Sequence, residues 1–130
     1  MSKRIQVRSE QGQTMAEFAI VLPVLMLVVF AVIQFGILFN NFVALTDAVR
    51  AGARTAAVSR TAADPVGAVV QRVQSATGDL NQSNLTVTVT SGWQHGDDVT
   101  VAATYPYSIN LFGLVVQAGN LKSSTTERVE

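Results

Sequence analysis

One run of residues constrains this chain more than any other. Between Glu17 and Asp47 no charged side chain occurs. Residues 18–39 make a run of 22, of which only Gln34 is conspicuously polar. Coiled as an α-helix rising ~1.5 Å per residue, the run is about 33 Å long. The hydrocarbon core of a bilayer is roughly 30 Å thick. The run reads as a membrane-spanning helix, and it fixes where the flanking segments lie.

The 130 residues carry nine basic and nine acidic groups, so the formal charge is zero. The distribution is uneven. Residues 1–12 hold Lys3, Arg4 and Arg8 against Glu10, a net of +2, whereas the remainder is −2. Basic residues favour the cytoplasmic side of a span. The short N-terminal segment is therefore expected in the cytoplasm and the C-terminal part is expected to be exported. A cleaved secretory signal is the rival reading. Its apolar region is usually about 7–15 residues and ends in a small-x-small site. Here the run is longer and ends Gln34-Phe35-Gly36-Ile37-Leu38-Phe39-Asn40-Asn41, without such a site.

The chain has no cysteine, which removes disulfides and cysteine-based metal sites from consideration. An exported domain of this kind must hold itself by its core or by partners. No basic patch with interleaved aromatics occurs, so nucleic acid is not an expected partner.

Glu17 stands at the edge of the apolar run. A carboxylate in a membrane is costly, less so near the interface. Two readings stay open. Glu17 is an interfacial acid in the first turn of the span, favoured by the helix dipole, or it has a functional partner. The sequence around it, Gly12-Gln13-Thr14-Met15-Ala16-Glu17-Phe18, resembles the processing site of type IV pilin-like proteins. In that family a membrane peptidase cuts after the glycine. The resemblance implies cleavage between Gly12 and Gln13 by a prepilin peptidase, with Glu17 and Phe18 as the recognition and assembly pair. A free amine at Gln13 lies four residues before Glu17, so the two share a helix face. In a packed assembly Glu17 could meet a neighbour's amine instead.

Pro23 falls inside the span. Proline removes one intrahelical bond and commonly bends a helix, though membrane helices tolerate it. Glu17-Phe18-Ala19-Ile20-Val21-Leu22-Pro23, followed by Gln34-Phe35-Gly36, is similar to the start of TadE-like proteins of the tight-adherence (Tad, or Flp) pilus system. Gln34 departs from the acid often seen there.

Helical character continues past Asn40-Asn41 to Asp64-Pro65. Ala44, Ala48, Gly52 and Ala56 recur every four residues, a row small enough for close helix packing. The row is expected to pack either on this chain's own sheet or on a partner's helix. A glycine in mid-helix costs about 1 kcal/mol relative to alanine, so Gly52 needs a reason. Asp47 and Arg50 are spaced to pair, and Arg50 and Arg54 share a polar face. Ala48-Val49-Arg50-Ala51-Gly52-Ala53-Arg54-Thr55-Ala56-Ala57 resembles a second TadE-like signature; with Pro23 of the first stretch, Arg50, Gly52 and Arg54 are the family signature residues that the resemblance implies.

Beyond, Asp64-Pro65 predicts a helix start, with Asp64 as N-cap and Pro65 at the first position. Val66, Val69, Val70 and Val73 are spaced for one face, and Gly78 for the stop. Leu85, Val87 and Val89 alternate with threonines as a strand. Val99, Val101, Ala103, Tyr105 and Tyr107 make a second, pairing antiparallel with the first. Pro106 belongs at an edge or a strand end. Residues 111–119 read as an irregular or short helical cover, and 121–130 as a last strand.

The fold class that follows is α+β: a long N-terminal transmembrane helix, a short helix and a small antiparallel sheet. Three segments are expected, a leader over 1–12, the long helix over 13–60 and an exported α+β unit over 61–130. No nucleophile elbow, phosphate loop or paired catalytic carboxylates occur, and His95 is a lone loop histidine. Neither an enzyme nor a cofactor nor a metal site is expected. Asn81 and Asn84 begin matches to the glycosylation acceptor pattern, which is common by chance.

The TadE-like resemblance implies a minor pilin of a Tad pilus, anchored in a bacterial inner membrane and acting in pilus assembly or initiation. Implied partners are the prepilin peptidase, another minor pilin, the major Flp pilin, the assembly ATPase, the membrane platform and the lipid bilayer. The alternatives are a single-pass envelope protein with a partner-binding ectodomain, and a pseudopilin of a type II secretion system.

Overall fold

A computed structural model describes residues 3–130, with side chains from residue 9 onward. Met1, Ser2 and the side chains of Lys3, Arg4 and Arg8, on which the charge asymmetry rests, lie outside the described residues. The elements are α1 (Lys3–Val58), α2 (Pro65–Ala76), β1 (Thr86–Ser91), β2 (Asp98–Leu111) and β3 (Leu114–Arg128). The fold is α+β, as the periodicities predict.

Helix α1 is one continuous element that passes through Pro23. Its two parts meet different surroundings. The most apolar window, long and apolar enough to cross a membrane, has no residue buried by the rest of the chain. From Leu45 onward the same helix enters the core. Leu45, Ala48, Val49, Ala53 and Ala56 are fully buried, together with Val69 and Val73 of α2 and Val99 and Val101 of β2. Burying each leucine or valine among them stabilises the fold by about 1.5–3 kcal/mol. Below Leu45 the helix is only partly covered, by β2 and β3, and most of its large apolar side chains stay exposed, a surface that requires lipid or other helices.

Helix α2 starts as Asp64-Pro65 predicts. The Asp64 carboxylate accepts a hydrogen bond from the Gly67 amide at 2.9 Å, satisfying one of the helix's unpaired donors. Its end falls as Gly78 predicts, with that glycine just past the cap. Thr77 is the C-cap, and its hydroxyl donates to the Val73 carbonyl at 3.0 Å. Val69 and Val73 face the core, whereas Val66 stays exposed.

The sheet is antiparallel in the order β1-β2-β3. Strand β1 covers only the first half of β2, ending at the Thr86–Thr104 pair. Pro106, opposite Asn120, therefore sits where the central strand has one locally open edge, a setting in which strand prolines are tolerated. At the C-terminus, the Val129 amide donates to the Asp97 carbonyl at 2.8 Å, and the Glu130 amide to the Ala57 carbonyl at 2.9 Å. These bonds tie the end of the chain to the end of α1.

The expected cover over 111–119 is not there. These residues extend β2 and β3 into a long hairpin, paired down to Leu111 and Leu114. Phe112 and Gly113 form the two-residue turn, with φ of 51° and 82°. Positive φ at both central positions is the turn that matches strand twist. Glycine adopts it freely, whereas Phe112 is strained by about 1–3 kcal/mol. Val115 and Val116 then follow as β-branched residues suited to a strand. A register shift beside Asn110 accommodates one extra residue, which blurred the alternation in the sequence.

Candidate functional site

The N-terminal segment carries the first group of site residues. Gly12, Gln13, Glu17 and Phe18 all lie on exposed turns of α1. The Gln13 side-chain amide donates to the Glu17 carboxylate at 3.3 Å. The two residues thus share one face, one helical turn apart. An added Cβ at Gly12 would meet nothing within 4 Å. Glycine weakens a helix interior by about 1 kcal/mol relative to alanine, so the backbone at Gly12 opens more readily than its neighbours. Pro23 follows on the exposed apolar part.

The second group lies far along the same helix. Arg50 is 33 residues past Glu17, about 50 Å along the axis. The structure does not bring the two groups together. Arg50 and Arg54 are exposed. The Arg50 guanidinium stands 3.8 Å from the Asp47 carboxylate, both well solvated, a geometry worth little.

The small-residue row faces inward. Ala44 is half-buried, and Ala48, Gly52 and Ala56 are buried. What they meet is this chain's own α+β unit. An added Cβ at Gly52 would lie 2.5 Å from Val73 Cγ2 and 3.5 Å from Val101 Cγ1 and Val69 Cγ1. Gly52 lets α1 approach α2 and β2 closely. Val69, Val73 and Val101 as its counterparts were not identifiable from spacing within α1 alone.

A third feature has no counterpart in the sequence reading. The β2–β3 hairpin runs back along α1 towards the N-terminus. Gln34, Leu38 and Asn41 of α1 line a cleft with Tyr105, Tyr107 and Ile109 of β2. Further down, the rings of Phe30 and Phe112 meet edge to face, with centroids 5.5 Å apart. Trp93, in a left-handed conformation with φ of 56°, packs against the core from the β1–β2 connection. His95 is exposed in the same connection.

The glycine, the acid, the uncovered apolar helix and the buried Gly52 row lie on one element in a fixed order. Residues 12–54 match the family model of TadE-like proteins. The TadE-like segment takes in Gly12, Gln13, Glu17, Phe18, Pro23, Ala44, Ala48, Arg50, Gly52 and Arg54. Ala56, α2 and the sheet lie beyond it. No curated protein and no solved structure matches the chain. The TadE-like match supports a minor-pilin-like role associated with the Tad pilus and its components. With the apolar helix it also supports membrane anchoring.

Proposed function

We propose that this chain is a processed, non-catalytic minor subunit of a Tad pilus. A prepilin peptidase removes residues 1–12, and the mature chain begins at Gln13. The helix then passes from the bilayer into a bundle with other minor or major pilin helices, in assembly or initiation of the pilus. Lys3, Arg4 and Arg8 stay cytoplasmic and the α+β unit is exported. External protease should digest that unit in spheroplasts of an envelope shown to be accessible; complete protection would reverse the orientation.

The observation that carries this reading is the apolar segment of α1, none of it buried by the rest of the chain, within the TadE-like match. The C-terminal part of α1, from Leu45, is already buried on its own α2 and sheet, so the long apolar part before it is free to exchange lipid for helices. Glu17 lies on that part, and pairing with an amine lowers the cost of holding an acid there. Deleting the chain from its native cell should abolish surface pili, and restoring it should bring them back. Pili at ordinary abundance in the deletion strain would contradict the proposal, and would favour the plain membrane anchor.

A further inference from the structure

The tip of the β2–β3 hairpin carries an apolar surface that the fold leaves open. Phe112, Leu114, Val115 and Val116 are 65%, 73%, 62% and 61% exposed. Neighbouring residues of a strand point to opposite faces, so Leu114 and Val115 make the tip apolar on both sides. A large apolar patch of this kind marks a site of interaction. Its shape argues against a single protein seam, which would need only one face. Phe112 adds a second observation. It occupies a left-handed turn position, φ 51°, that favours asparagine or glycine, and its ring lies on Phe30.

Phe30 sets the depth. It lies 12 residues past Phe18, about 18 Å along the axis, within a hydrocarbon layer of about 30 Å that starts at Phe18. The hairpin tip is therefore level with the interior of the apolar run, and its surface is continuous with that run. Polar groups mark where the hairpin emerges. Asn110 donates to the Ser108 hydroxyl at 3.4 Å, and Gln117 pairs opposite Ile109. On the helix, the cleft that Ser108 and Ile109 line runs from Gln34 to Asn41, and Asn41 lies just past the apolar run.

We propose that residues 111–116 are a second lipid-contacting element, dipping beside Phe30 into the leaflet nearest the α+β unit. The inference rests on the membrane-anchor part of the proposed function. The occupant is the acyl chain region of that leaflet. Only the tip enters it: the two strands pair with each other down to a two-residue turn, but their outer edges keep backbone groups that lipid cannot satisfy, which confines insertion to the few residues of the turn and its flanks. The hairpin thus holds the α+β unit at a fixed height and tilt over the bilayer, and leaves lipid when the helix does.

The absence of cysteine makes the test direct. Full-length chains carrying Leu25→Cys, Val115→Cys or Ser124→Cys are labelled with a small environment-sensitive fluorophore and reconstituted in phosphatidylcholine–phosphatidylglycerol vesicles. Leu25 reports the span, and Ser124 the exposed part of β3. Label at Val115 should lose emission to nitroxide-bearing acyl chains, as at Leu25, and resist aqueous iodide. Label at Ser124 should do the reverse. On the unlabelled chains, an impermeant maleimide should modify Ser124→Cys and spare Val115→Cys. If Val115 behaves like Ser124 while Leu25 is quenched by lipid, the hairpin inference is overturned and the anchor stands. Shielding of Val115 from both quenchers, with disulfides between Val115→Cys chains, would assign the tip to a second copy and overturn it equally. A water-exposed Leu25 would overturn the anchor and the hairpin inference together.

Discussion

Gly52 of α1 and Val73 of α2 pack so closely that a methyl group on Gly52 would lie 2.5 Å from Val73 Cγ2. Val73 is fully buried, and a β-branched side chain in a helix has essentially one rotamer. It cannot turn aside. Overpacking costs about 1–3 kcal/mol, against a gain of about 1 kcal/mol in helix propensity for glycine to alanine. Gly52→Ala should therefore be neutral to destabilising by up to about 2 kcal/mol, and Gly52→Leu worse. Urea unfolding of the solubilised protein measures both. Adding Val73→Ala should recover part of the Gly52→Ala loss, because the two sites are coupled. A Gly52→Ala chain more stable than wild type would mean that the approach is not tight.

How much of this was legible in the sequence follows from where each signal resides. The absence of charge between Glu17 and Asp47 is local, and so is the cap formed by Asp64 and Pro65. Both are visible in one dimension. The threonine–valine alternation of β1 and β2 is equally local. The partner of the Gly52 row was not, because its spacing says that something comes close but not what. Val73 is brought there by the chain reversal after Ser59, and Val101 by the pairing of β2 with β1 and β3. The hairpin tip was misread because glycine and a run of apolar residues suit several local structures. Only pairing with β2, and the left-handed turn at Phe112, select the strand.

Gly12 differs from Gly52 in having open space around it. Gly12→Leu should leave the urea midpoint of the folded unit unchanged while blocking removal of residues 1–12. Gel mobility of the membrane-bound chain in peptidase-positive cells gives the answer. Loss of the leader at the wild-type rate would show that Gly12 does not define the cut.

Glu17 accepts a hydrogen bond from the Gln13 side chain and is otherwise uncovered by this chain. If it pairs with a neighbour's amine, Glu17→Gln should leave insertion and processing intact. The same change should reduce surface pili and crosslinks between minor subunits, since the charge that draws the amine is gone. Wild-type levels of both would reduce Glu17 to an interfacial acid.

The central claim is that the mature protein begins at Gln13. Intact mass measurement of the chain isolated from membranes, with and without the prepilin peptidase, tests it most directly. A processed subunit has the mass of residues 13–130 in peptidase-positive cells and of residues 1–130 in cells lacking the enzyme. Residues 1–12 still attached in both would contradict it.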